Sequence, residues 1–148
     1  MSINIKNRKA SFEYNFIASF IAGISLVGTE IKSIRNNKAS ISDAYCILID
    51  NELYVKNLHI AEYENGGTNN HDPKRDRKLL LNRQEIHKIS GKVKEKGNSV
   101  IPIRLFINKN GKAKLEITLA KGKKIYDKRE SIKEKDQKRN IERITKKN

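Results

Sequence analysis

A mainly β fold is predicted: a small closed or partly closed antiparallel barrel with about two flanking helices and a basic C-terminal tail. Three features of this 148-residue sequence carry the prediction. Short apolar stretches with period-two alternation recur between residues 11 and 120, separated by polar turns. Two intervening stretches switch to helical spacing. From Gly122 onward, apolar residues become too sparse to bury.

The elements follow in order. SFEYNFIASF (11–20) begins with Phe12, Tyr14 and Phe16 alternating against polar residues, which predicts a strand with an aromatic face. AGISLVG (22–28) reads as a second strand. TEIKSIRNN (29–37) places Ile31 and Ile34 three apart behind Gly28 or Thr29 as cap, which predicts a short helix. ISDAYCILID and ELYVKNLHI form a strand pair turning at Asp50-Asn51. NGGTNNHDPKRDRK (65–78) has no strongly apolar side chain and reads as a functional or disordered loop. Asn82 and Glu85 form a capping box for a helix running to about Lys96 and stopped by Gly97. VIPIRLFIN (100–108) alternates Ile101, Ile103, Leu105 and Ile107, with Pro102 expected at an edge or strand start. After a turn at 109–111, AKLEITLA sends Leu115, Ile117 and Leu119 inward and Lys114, Glu116 and Thr118 outward. About six strands and two helices result. Barrels of the OB type commonly bind RNA, although fold alone does not establish function.

The expected boundary divides a domain at 1–121 from a tail at 122–148. Beyond Tyr126 the tail offers only Ile132, Ile141 and Ile144 for burial. These cannot offset an ordering cost of about 1–2 kcal/mol per residue, so the free tail is expected to be disordered. It contains few helix breakers and mixes cations with acids, so a partner surface would let it become helical.

Lys and Arg total 32 against 17 Asp and Glu, a formal net charge of +15. Residues 1–121 hold 21 basic and 12 acidic side chains, and residues 122–148 hold 11 and 5. Both parts therefore favour a polyanionic partner, either nucleic acid or an anionic membrane surface. No apolar run reaches membrane-spanning length, the N-terminus lacks a signal-like apolar segment, and Cys46 is the single cysteine. A cytosolic protein is the expectation.

Three scattered histidines and one cysteine give no metal-ligand spacing, and no nucleotide-binding or nucleophile-elbow motif occurs. An enzyme, such as a nuclease, is the least favoured class. The cations instead gather in four clusters: Asn7-Arg8-Lys9, Lys32 with Arg35, Lys74 to Lys78 (with Arg75 and Arg77), and Lys121 to Lys124 (with Lys123). Phe12 and Tyr14 adjoin the first cluster and are placed to stack on exposed bases. Any one lysine is more readily explained as a solubilising charge. Four clusters together favour nucleic acid.

NRKA (7–10), AGI (22–24), GTEIKSIR (28–35), HDPKRDRKLLL (71–81) and AKGKKIYDKRESIK (120–133), in that order, resemble the small protein B family. These are the bacterial tmRNA-binding (SsrA-RNA-binding) proteins of trans-translation. The resemblance implies a non-enzymatic, cytosolic OB-like barrel without cofactor or metal. It also implies binding to the tRNA-like domain of tmRNA. Delivery to stalled ribosomes, together with elongation factor Tu and GTP, would follow. The tail would enter the empty mRNA channel beyond the decoding centre and become helical there. By position, the implied RNA surface falls on Asn7, the segment around Tyr14, Leu80 and Lys114, with Lys121, Lys123 and Lys124 adding charge. The ribosomal segment would comprise Gly122, Tyr126, Asp127, Lys128 and Arg129, with Tyr126 the candidate for stacking on a decoding-centre base. Many members carry an acidic residue where this chain has Ile21. A monomer is the simplest expectation. The rival reading is a general RNA chaperone or ribosome-associated OB protein that uses the same patches without tmRNA specificity.

Overall fold

The structure, a computed structural model, describes residues 3–95 and 97–123. The predicted tail beyond Lys123 lies outside the described residues, and with it Lys124, Tyr126, Asp127, Lys128 and Arg129.

Nine strands and three α-helices occur among the described residues. They are β1 (Asn4–Lys6), α1 (Ala10–Glu13), β2 (Tyr14–Ile24), α2 (Gly28–Arg35), β3 (Ala39–Ser40), β4 (Tyr45–Ile49), β5 (Glu52–Lys56), β6 (His59–Ile60), β7 (Arg77–Leu80), α3 (Arg83–Val93), β8 (Asn98–Ile107) and β9 (Ala113–Gly122). Seven strands form one antiparallel sheet in the order β1-β8-β4-β5-β7-β2-β9, and β8 also pairs with β9. The β3–β6 pair stands apart.

Local chemistry explains the turns and caps. Asp50 and Asn51 have φ of 51° and 62°, the left-handed pair that a tight two-residue hairpin requires between β4 and β5. The Asn82 side chain accepts from the Glu85 N–H at 2.8 Å, and Glu85 accepts from the Asn82 N–H at 3.2 Å, so the predicted capping box forms. At α2 the cap differs from expectation. Val27 is the N-cap residue, its N–H donating to the Glu30 carboxylate at 2.9 Å, while the Thr29 hydroxyl turns to His71 Nδ1 at 2.8 Å.

Leu53, Val55, Leu79, Leu105, Leu115 and Ile117 fill the core, joined by Ile34 of α2 and Ile89 of α3. A smaller cluster of Ala10, Ile101 and Ala120 lies apart, with Tyr14 and Ile103 against it. This cluster corrects the expected single face of β8. The register shifts between Pro102 and Arg104, so Ile101 and Ile103 pack under α1 while Leu105 joins the main core. Pro102, with no N–H to donate, sits at that irregularity rather than at the strand's start.

Two further expectations change. Residues 10–13 are helical rather than part of an aromatic-faced strand, and β2 joins the rest of the first predicted strand to the start of the second, ending at Ile24. The 65–76 segment is tied down by its own side chains. Asn70 accepts from the Tyr63 N–H at 3.0 Å and donates to the Tyr63 carbonyl at 2.7 Å. His71 Nε2 donates to the Ile60 carbonyl at 2.9 Å, which leaves Nδ1 to accept from the Thr29 hydroxyl.

Candidate nucleic-acid interface

Strand register assembles the main candidate face. Gly23 of β2 stands opposite Leu80 of β7 on one side and Lys114 of β9 on the other. Lys114 in turn stands opposite Phe106 of β8. Directly opposed residues share a face, so Leu80, Gly23, Lys114 and Phe106 form one row across four strands. The next row on the same face is Ile21, Glu116, Arg104 and Lys6. Leu80 and Ile21 are 54% and 47% exposed, so this face presents apolar surface to solvent among its charges.

Gly23 is what lets Leu80 lie flat here. A Cβ at Gly23 would come within 3.2 Å of the Leu80 Cβ. Arg104 joins the two rows. Its guanidinium stacks 4.1 Å from the centre of the Phe106 ring, and its Nε and Nη2 reach Glu116 Oε1 at 3.1 and 3.0 Å.

A second cationic grouping forms where β9 ends. Tyr14 stands opposite Gly122 and Asn15 opposite Lys121, while the Lys123 N–H donates to the Glu13 carbonyl at 2.9 Å. That brings Lys121 and Lys123 beside α1, with exposed Arg8 and Lys9 immediately before it. Asn7 fastens this end. Its N–H donates to Ile103 at 3.0 Å and its Nδ2 to the Pro102 carbonyl at 3.2 Å. Its buried Oδ1 has no partner among the described residues. Phe16 and Ile17, 44% and 51% exposed, project from β2 nearby, at a register shift the alternating pattern did not disclose.

The remaining predicted cations separate. Lys32 and Arg75 line one shallow cleft at the start of α2, and Lys32 lies 5.4 Å from the centre of the Tyr63 ring. Arg35 reaches the Gly111 carbonyl at 3.4 Å, and Lys78 pairs with Glu52 at 3.7 Å.

Arg77 corrects the sequence reading. It was expected among the RNA-binding cations, yet its side chain is fully buried. Its Nε donates to Glu30, and its Nη1 donates to the Leu58 carbonyl at 2.6 Å. Glu30 is equally buried and also accepts from Arg75 at 2.6 Å. Burial pushes the Glu30 carboxyl upward. Hydrogen bonds from Arg75, the Val27 N–H and Arg77, together with the Arg77 charge, outweigh that and hold it below the usual carboxylate range. Cys46 is buried, and burial pushes its thiol up, away from reactivity.

No grouping of three or more His, Cys, Asp or Glu side chains able to hold a metal occurs among the described residues. Nor is any described helix long and apolar enough to cross a membrane. An antiparallel β domain with a mixed apolar and cationic face carries the features by which RNA-binding proteins hold bases and phosphates.

Comparison with known proteins is more specific. Residues 4–147 match the family model described as SmpB protein, and the chain belongs to that family, an RNA-binding family rather than an enzyme family. The chain is 58% identical over 144 residues to the SsrA-binding protein of Phocaeicola vulgatus, covering 97% of this chain and 96% of that protein. It is 57% identical over 145 residues to the SsrA-binding protein of Bacteroides thetaiotaomicron, covering 98% and 97%. A chain in the solved structure "tmRNA-SmpB: a journey to the center of the bacterial ribosome" superposes with a TM-score of 0.72 at 40% identity, covering 88% of this chain and 94% of that one.

Proposed function

We propose that this protein binds the tRNA-like domain of tmRNA and brings it to stalled ribosomes in trans-translation. The observation that carries the reading is the match, over nearly the whole chain, to SsrA-binding proteins and to a chain solved in a tmRNA–SmpB ribosome structure. The strand pairings around β8 and β9 support an OB-like barrel as the platform. On that platform the Leu80–Gly23–Lys114 row is the RNA-facing surface. The cations at the end of β9 continue it toward the tail.

In this reading the tail senses vacancy. A cationic segment is excluded from an mRNA channel already filled with message. A channel lined only by ribosomal RNA phosphate attracts it and stabilises its helix. Asp127, Lys128 and Arg129 begin that segment, and Tyr126 stacks at the decoding centre. Elongation factor Tu with GTP joins through the tmRNA complex. The protein acts in the cytoplasm as a monomer.

The test is a titration of the tmRNA tRNA-like domain against an ordinary tRNA of similar length, at fixed near-physiological salt. A preference of about tenfold or more, ~1.4 kcal/mol, is expected. Equal affinity for both RNAs would replace this reading with that of a general RNA chaperone. Removing the chain from Asp127 onward should leave RNA binding nearly intact and abolish peptide tagging on stalled ribosomes.

A further inference from the structure

We propose that Glu116, held by Arg104 beside the exposed Ile21 and Leu80, reads the hydrogen-bond-donor edge of an unpaired guanine in the bound RNA. The inference rests on the RNA-binding reading above and names what one part of that face recognises.

A carboxylate on the RNA-facing side of a chain with net charge +15 is a liability if the face only attracts phosphate. Here the carboxylate is fixed in place. Arg104 donates to Glu116 Oε1 at 3.1 Å through Nε and 3.0 Å through Nη2. Arg104 is itself fixed, its guanidinium 4.1 Å from the centre of the Phe106 ring. Both donations fall on Oε1, so Oε2 has no partner among the described residues and is the oxygen left to accept from a ligand. The Glu116 side chain is 23% exposed, enough to be reached.

The surroundings suit a base rather than a phosphate. Ile21 stands directly opposite Glu116 and is 47% exposed. Leu80, 54% exposed, lies over Gly23 two positions along the same strand face. Two aliphatic side chains beside one acceptor form an apolar wall with a polar end. A splayed-out base presents the matching pair, a flat apolar face and a hydrogen-bonding edge. A carboxylate can only accept, so the edge must donate. Guanine places two adjacent donors, N1–H and N2–H, on its Watson–Crick edge. Lys114, one row away, stands ready for the phosphate of the same nucleotide.

The test uses the full chain and the tRNA-like domain of tmRNA, modified with kethoxal, which reacts at N1 and N2 of unpaired guanines. The wild-type protein is expected to protect at least one such guanine. Glu116→Gln keeps an oxygen for Arg104 and should keep the melting temperature. It is expected to lose that protection and to bind the tRNA-like domain about tenfold more weakly, with affinity for ordinary tRNA unchanged or raised. Replacing the protected guanine by inosine, which lacks the N2 amino group, should weaken wild-type binding but add little to Glu116→Gln. If Glu116→Gln binds the tRNA-like domain as tightly as wild type or more tightly, with the same guanines protected, the carboxylate is only a repelling charge and the inference fails. Should the wild type itself show no preference for the tRNA-like domain, the functional reading falls first and takes this one with it.

Discussion

Two arginine–glutamate pairs occupy opposite environments in this small domain. Arg77 and Glu30 meet with both side chains fully buried, between β7 and the first turn of α2. Arg104 and Glu116 meet across neighbouring strands with 35% and 23% of their side chains exposed. Identical chemistry serves the fold in one place and is available to a ligand in the other. Inside, every oxygen of Glu30 is engaged, by Val27, Arg75 and Arg77. Outside, one oxygen of Glu116 has no partner among the described residues.

The sharpest way to break the comparison is to remove the buried carboxylate. Glu30→Ala leaves Arg77 charged in the interior without a counter-ion, an outcome that typically costs about 3–5 kcal/mol. Urea unfolding should show a loss of that size, while the RNA affinity of the molecules that remain folded stays close to wild type. Because the Glu30 carboxyl is held below the usual carboxylate range, its contribution is fully present above the pH at which an unfolded glutamate titrates. It declines as pH falls toward and through the folded-state value. Melting curves from neutral to acidic pH should therefore converge for wild type and Glu30→Gln at the acid end. A gap that widens with acid would reverse the sign assigned here.

How much of this contrast is legible in sequence depends on the residue. Period-two alternation in AKLEITLA already sends Lys114 and Glu116 outward, and both face outward in the structure. The Asn82–Glu85 box and the Asp50-Asn51 turn are local features, and both form. Arg77 was misread because KRDRK looks like a surface charge run. Its burial is set by Glu30, 47 positions earlier, which no local pattern discloses. Ile101 and Ile103 were assigned to the wrong face because one register shift at Pro102 inverts the alternation that follows. The partnership of Ile21 with Glu116 likewise exists only once β2 and β9 are in register.

The outer face is tested by trimming its apolar part. Leu80→Ala removes an exposed side chain, so folding stability should change little. Burial against RNA would be lost, and at roughly 25 cal/mol per Å² the affinity for the tRNA-like domain should fall by about 1 kcal/mol. Gly23→Ala approaches the same end from beneath, since its methyl group would press the Leu80 Cβ at 3.2 Å. If both variants bind RNA normally, the apolar row is not part of the interface.

Lys114→Ala gives the smallest expected effect and the most diagnostic one. Lys114 belongs to the same row as Leu80, joined to it through Gly23, but its contribution is a point charge rather than apolar area. Losing one phosphate contact should lower the slope of log affinity against log salt by about 0.7–0.9, for the tRNA-like domain and ordinary tRNA alike. Leu80→Ala should leave that slope unchanged and weaken only the preferred RNA. The pair of measurements separates attraction from recognition within one row of side chains. An unchanged salt slope in Lys114→Ala would mean that the phosphates pass elsewhere, over the cations gathered at the end of β9.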